Sequence, residues 1–435
     1  MGARETALNV LIACRKEDGW SNGVLKEYIR RDKLDRRDAA LATRLCYGVL
    51  QNRLKLDFYL QQVLTGKVKD LHPAVRDILH LGLYQIKEMD KVPGSAAVNE
   101  SVDLAKQYCK KQRYAPGLVN AVLRKAAAMQ WQEPAGWQEK YSHPQMLIDL
   151  LKPYVGKERM EAMLRANNDA PDTVVQVNTL RVTQAALLQQ LEGEGVAARP
   201  HGWMEDCLVL SGTGNLEQLP SFQQGLFYVQ DPAAKLSVLC AQIPEGSRVL
   251  DCCASPGGKS FAAAIAMHGT GSITSCDVYA HKAELIAKGA ARLGIHNLEA
   301  RQADATVHIP QWEGQMDAVI ADVPCSGLGI IRKKPDIRYK NLKEMEALPQ
   351  LQLQILENVA TYVRPGGVLL YSTCTLVRGE NEGIVERFLE EHKDFSLETL
   401  PLPAVFGEKK TGMLALVPGE FDTDGFFIAR LRRKA

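Results

Sequence analysis

Apolar residues over the first 130 positions recur at intervals of three and four. Val75, Ile78, Leu79, Gly82, Leu83 and Ile86 share one helical face, and Leu8, Leu11 and Ile12 begin another near the N-terminus. A Pro116-Gly117 break precedes a run that ends in Arg124-Lys125, the order expected of a helix start and stop. The pattern predicts an all-helical domain over 1–130, and the stretch 130–144, with its Trp, Pro and Gly, reads as a linker. Between 145 and 230 the period changes repeatedly. A helix over 145–167, a strand over 173–180, a helix over 183–192 and a strand over 207–211 make a small α+β domain. Beyond 231, a short apolar strand at 248–251 and further strands at 272–277, 298–304, 316–322 and 367–372 alternate with helical patterns, and 426–431 closes the series. That order predicts a third domain over 231–435, an α/β fold with a doubly wound, mostly parallel, Rossmann-like sheet. Ligands of such sheets bind at the carboxyl ends of the strands.

With 435 residues, 46% of them hydrophobic and 24% charged, the chain has the make-up of an ordinary globular protein of two or three domains. No apolar run is long enough to span a bilayer, and residues 1–17 lack the apolar core and cleavage site of a signal peptide. A cytoplasmic protein is therefore expected. Ten cysteines and nine histidines show no metal-ligand spacing, which predicts free thiols and no metal. The net charge of +2 hides an asymmetry. Residues 1–140 hold 24 Lys and Arg against 16 Asp and Glu, a net +8, and the remainder holds 29 against 35, a net −6. A basic first part suits a polyanionic partner, and solvated helix faces explain it equally well. Nothing in the chain requires more than a monomer.

Candidate chemistry gathers at the predicted strand ends. The run Asp251-Cys252-Cys253-Ala254-Ser255-Pro256-Gly257-Gly258-Lys259-Ser260 joins a strand to a helix, and its glycines let backbone approach a ligand beside free helix N–H groups. Gly258-Lys259-Ser260 also ends like a phosphate-binding P-loop. That loop needs Gly at 253, where this chain has Cys, so an NTPase is disfavoured. Asp277, Asp304 and Asp322 stand at or just beyond three strand ends. Singly each is a plausible turn or cap; three at the ligand edge suit a ribose diol and an adenine amino group. Asp322-Val323-Pro324-Cys325-Ser326-Gly327 follows the fourth strand and Ser372-Thr373-Cys374-Thr375 the fifth, which puts two cysteines over one crevice. A lone cysteine near a strand is usually a small buried apolar residue, the reading given to Cys14, Cys46, Cys109, Cys240 and Cys276.

These motifs resemble the RNA cytosine-5 methyltransferase family, with a nucleophile in a Thr-Cys motif and a second cysteine in an Asp-x-Pro-Cys motif. The helical domain resembles the antitermination factor NusB through Val119-Asn120-Ala121-Val122-Leu123-Arg124-Lys125. Together they resemble the bacterial enzymes that act on 16S ribosomal RNA, over essentially the whole chain. Arg165-Ala166-Asn167-Asn168, Gln230-Asp231 and Arg332-Lys333-Lys334-Pro335-Asp336-Ile337 match as well, whereas Ser255 and Val323 stand where Ala is usual. The resemblance implies S-adenosyl-L-methionine as methyl donor, held by Cys253, Ala254, Ser255, Pro256, Gly257, Gly258 and Lys259 with Asp277, Asp304 and Asp322. It implies Cys374 as the thiolate that adds to cytosine carbon 6, Asp322 as a hydrogen-bond partner of the cytosine edge, and Cys325 in the release of Cys374. It implies 16S ribosomal RNA as partner, with tRNA as an alternative. A DNA cytosine-5 methyltransferase would use Cys325 as nucleophile, and a non-catalytic RNA-binding factor would have lost a cysteine or the glycines.

Overall fold

A computed structural model describes residues 1–17, 21–407 and 411–435. The chain forms two compact units, Met1–Asp169 with Ile331–Lys340, and Ala170–Ile330 with Asn341–Ala435.

The first unit is helical. Seven helices over Ala3–Glu17, Ser21–Arg31, Arg36–Gln51, Arg53–Val63, Pro73–Glu88, Gly94–Tyr108 and Ala115–Ala128 precede the short turn Trp137–Lys140. Pro73–Glu88 is central: Val75, Ile78, Leu79 and Leu83 are fully buried, in the stripe that the sequence predicts. Gly82 is needed there because a Cβ would stand 2.4 Å from Leu123 Cδ1, so only a bare backbone lets Ala115–Ala128 pack this closely. The single helix expected over 145–167 is two, Gln145–Val155 and Lys157–Ala166, because Gly156 adopts φ +81° between them.

Residues 331–340 fold with the helices although they lie between two elements of the sheet in sequence. Arg338 holds them there. Its guanidinium is 2% exposed and donates to the carbonyls of Gln51 (3.0 Å), Ser142 (3.2 Å) and Asn167 (3.2 Å) and to Asn168 Oδ1 (2.9 Å). Burial lowers its pKa to about 10, so the group stays a cation at neutral pH.

The second unit holds two sheets. β1 (Thr173–Val177), β2 (Ala197–Pro200), β3 (Cys207–Ser211) and β4 (Phe227–Val229) form an antiparallel sheet in the order β2-β3-β1-β4. The larger sheet contains β5 (Arg248–Asp251), β6 (Ser272–Asp277), β7 (Leu298–Gln302), β8 (Met316–Asp322), β9 (Val363–Thr373), β10 (Phe395–Leu397), β11 (Met413–Leu416) and β12 (Phe426–Arg433). Its order is β10-β12-β9-β8-β5-β6-β7, with β11 also on β12. The strands from β7 to β9 are parallel and β12 runs antiparallel to β9. This is the doubly wound α/β sheet that the alternating pattern predicts.

Alternate residues of each central strand face opposite layers. Val249, Ile320, Leu370 and Ile428 pack with the helices Pro232–Ala241, Gly258–Ala266 and Ala280–Leu293. Leu250, Val319, Leu369 and Phe427 pack with Leu348–Ala360 and Glu382–Glu391. The strand order reverses between β5 and β8, and the crevice outside that point is where such sheets bind ligands.

Candidate active site

β5 ends on Asp251, and the chain turns through Cys252–Gly257 into the helix Gly258–Ala266. Ala254 N donates to Cys276 O across the strand ends at 2.8 Å. The Ser255–Pro256 peptide is cis and Gly257 has φ +109°, a conformation that side chains resist. A Cβ on Gly257 would lie 2.4 Å from the Phe261 ring, and one on Gly258 would lie 2.9 Å from Gln230 Nε2. The loop therefore presents bare backbone at a helix N-terminus.

Asp251 has no role among the sequence-based expectations, yet it is fully buried beneath this loop. Ser260 Oγ donates to its Oδ2 at 2.7 Å and Ser275 Oγ donates to Ser260 Oγ at 2.7 Å. Burial pushes its pKa up to about 7. Asp251 Oδ1 and Gln230 Oε1 are buried with no hydrogen-bond partner in the protein. An acidic residue closing an apolar strand before a Gly-Gly turn was the available signal.

Asp277 closes β6 almost fully buried; its Oδ1 accepts from Tyr279 N at 3.1 Å and lies 3.7 Å from Lys282 Nζ. Asp304, two residues beyond β7, is exposed, and its Oδ1 accepts from Thr306 N (2.9 Å) and Thr306 Oγ1 (2.7 Å). Each thus caps a turn at the carboxyl edge of the sheet. Asp322 closes β8. Its Oδ2 lies 2.6 Å from Lys259 Nζ and its Oδ1 accepts from Ser372 Oγ at 2.8 Å. The lysine of the glycine loop, nearly buried, therefore crosses from β5 to the neighbouring strand and orients that carboxylate.

The two motif cysteines meet. β8 and β9 are parallel neighbours with Asp322 opposite Ser372, and the loops that follow bring Cys325 Sγ and Cys374 Sγ to 3.4 Å. Gly329 N donates to Cys374 O at 2.9 Å, fixing the second loop on the first. The hydrogen bond to Cys374, burial, and the nearby Glu380 and Asp322 carboxylates raise the Cys325 pKa well above that of a free thiol. The two sulfurs are thus within hydrogen-bond reach of each other, and either can be the donor. All the candidate site residues except Asp304 lie at the ends of β5, β6, β8 and β9; Asp304 stands beyond β7 at the same edge. Among the described residues no group of three His, Cys, Asp or Glu could hold a metal ion, and no helix is long and apolar enough to cross a membrane.

The chain is 35% identical over 99% of its length to a protein of Bacillus subtilis named as a probable ribosomal RNA small subunit methyltransferase B, covering 98% of that protein. It is 32% identical, over 92% of this chain and 90% of the other, to ribosomal RNA small subunit methyltransferase B of Vibrio cholerae. The chain belongs to the ribosomal RNA small subunit methyltransferase B family. Residues 238–432 match the family described as 16S rRNA methyltransferase RsmB/F, residues 1–128 the NusB family, and residues 143–217 the ferredoxin-like domain of RsmF/B-like methyltransferases. The crystal structure of PH0851 shares the fold, with a TM-score of 0.82 at 24% identity, covering 100% of this chain and 99% of that one. As a member of this family the chain is an RNA methyltransferase, and its methyl donor is S-adenosyl-L-methionine.

Proposed function

We propose that the protein methylates carbon 5 of one cytosine in 16S ribosomal RNA through a covalent bond between Cys374 and cytosine carbon 6. The observation that carries this reading is the 3.4 Å contact that brings Cys374 and Cys325 together at the adjacent ends of β8 and β9, beside Asp322. The hydrogen bond to Cys374, burial and the nearby Glu380 and Asp322 carboxylates disfavour a Cys325 thiolate, which supports Cys374 as the nucleophile.

The remaining residues divide the work. The bare backbone at Gly257 and Gly258, the unpartnered Asp251 Oδ1 and Gln230 Oε1, and Asp277 and Asp304 at the strand ends fit a polar nucleoside with an amino-acid tail. That donor supplies an electrophilic methyl group when bound. Cys374 adds to carbon 6, which makes carbon 5 nucleophilic, and Asp322, fixed by Lys259 and Ser372, supports the charge at ring nitrogen 3. After transfer the carbon 5 proton must leave so that the ring double bond re-forms and the Cys374–carbon 6 bond breaks. Cys325, in its thiolate form, is assigned the part of the base that takes this proton, and Cys374 leaves as a thiolate. The target cytosine must be unstacked to reach these groups, so a loop or bulge of the RNA is the expected site. The protein would act as a monomer in the cytoplasm.

Bisulfite mapping of total RNA from cells lacking the protein tests the substrate. One 16S cytosine should lose its protection. Loss confined to tRNA, or no loss at all, would overturn the assignment.

A further inference from the structure

Glu380 lies in the turn Arg378–Glu380 just after the Thr-Cys motif, and it is only 2% exposed. Its carboxylate faces three neutral donors. Ser326 Oγ donates to Oε1 at 2.5 Å, and Ser326 N and Gln352 Nε2 donate to Oε2, each at 2.9 Å. Gln352 Nε2 also donates to Pro324 O at 2.9 Å, so one carboxylate and one amide grip both residues that flank Cys325.

The same carboxylate reaches the other cysteine. Ser326 Oγ and Thr375 Oγ1 are 2.7 Å apart. Because the Ser326 hydroxyl proton points at Glu380, Thr375 must be the donor in that contact. Thr375 follows Cys374 as Ser326 follows Cys325, so a single relay, Thr375 to Ser326 to Glu380, links the residue after each sulfur. The neighbouring Asn381 braces the second loop, accepting from Thr373 Oγ1 (2.6 Å) and donating to Thr375 O (3.0 Å). Tyr371 OH donates to the Glu380 carbonyl at 2.6 Å, which ties the turn back to β9.

We propose that Glu380 is a positioning residue for methyl transfer, whose buried carboxylate locks the Pro-Cys loop to the Thr-Cys loop and so sets the spacing of the two sulfurs. The proposal rests on the reading of Cys374 as nucleophile and Cys325 as the group that releases it. A carboxylate is required because every partner that converges on it is a donor. Glutamine has nearly the same shape but would turn an N–H toward Ser326, losing acceptor capacity in a buried place. The charge has a second effect, since a buried anion close to Cys325 opposes loss of its proton.

The test is Glu380→Gln, read in three ways. Methyl transfer to ribosomal RNA should fall at least thirtyfold in kcat with little change in KM for RNA. S-adenosylmethionine affinity by calorimetry should stay within threefold, since the glycine loop and Asp277 lie on other strands. In a Cys374→Ala background, alkylation of Cys325 by iodoacetamide should move to lower pH when Glu380→Gln is added. A purely structural part would not move that profile. If Glu380→Gln proves insoluble, Ser326→Ala keeps two of the three donors and should lower kcat about tenfold in a folded protein. Near-normal kcat in either folded variant, or an unmoved alkylation profile, overturns the proposal. Methyl transfer that survives Cys374→Ala would instead overturn the parent reading, and the Cys325 profile remains readable in that case.

Discussion

Lys259→Met removes the cation from Asp322 while keeping most of the stem and volume beside Phe426, whose ring lies 5.0 Å from the ammonium. Two unit charges at about 4 Å attract by roughly 4 kcal/mol at an effective dielectric constant near 20. Much of that gain is offset, because bringing the lysine to 10% side-chain exposure strips its water, and Asp322, at 30%, is still partly hydrated. The net change in folding stability should be about 1 kcal/mol or less. The effect on catalysis should be larger. Without Lys259, Asp322 retains Ser372 Oγ at 2.8 Å and is free to turn about that one hydrogen bond. Losing a fixed charge partner of the reacting ring costs on the order of 2–4 kcal/mol of barrier, or about 30- to 1,000-fold in kcat. Transfer of labelled methyl groups into ribosomal RNA under saturating donor gives kcat, and a thermal melt reports the fold. A kcat within threefold of the parent, in a variant with unchanged melting, would refute the role given to this ion pair.

Three further changes probe other parts of the account. Asp277→Ala should weaken S-adenosylmethionine binding by roughly 1.5–3 kcal/mol through loss of a charge-assisted acceptor, and unchanged affinity by calorimetry would remove Asp277 from the site. The Asp251 carboxyl is raised from its ordinary 3.8 to about 7, so the stability of its neutral form is complete below pH 3.8 and is lost as pH rises through 7. Asp251→Asn should thus gain melting temperature relative to the parent between those values, and a difference that is flat with pH contradicts the burial argument. Arg338→Met strips buried carbonyls of their donor and should cost about 3–5 kcal/mol in the helical unit, measured by hydrogen exchange in Arg36–Gln51 and Lys157–Ala166; a loss under about 1 kcal/mol would show that Arg338 is no anchor.

The central strands were readable because β5, β8 and β9 hold apolar runs, buried on both faces, that end in Asp or in the Thr-Cys motif, and β6, more polar, also ends in Asp. β4 and β10 have three residues each, and β2 is largely exposed and ends in Pro200, so none of them leaves an alternation to read. The break at Gly156 was hidden because Ile148, Leu151 and Val155 before it, and Met160, Met163 and Leu164 after it, each keep helical spacing on their own side, and only the five-residue step from Val155 to Met160 marks it. Of the site, the residues with distinctive chemistry at strand ends were legible: the glycine loop, the acids and both cysteines. Their supports were not. Glu380 in Arg-Gly-Glu-Asn-Glu and Arg338 in a basic run look like solvated surface, and only the fold shows each buried with its charge satisfied by neutral dipoles.

The central claim is that Cys374 forms the bond to cytosine and Cys325 lets it go, and trapping that bond tests it most directly. Cys325→Ala, incubated with ribosomal RNA and S-adenosylmethionine, should accumulate a protein–RNA adduct that survives denaturing gel electrophoresis. The Cys325→Ala/Cys374→Ala double variant should form none, and Cys374→Ala alone should be inactive without an adduct. An adduct that appears with Cys374→Ala and requires Cys325 would contradict the account by reversing the roles of the two sulfurs.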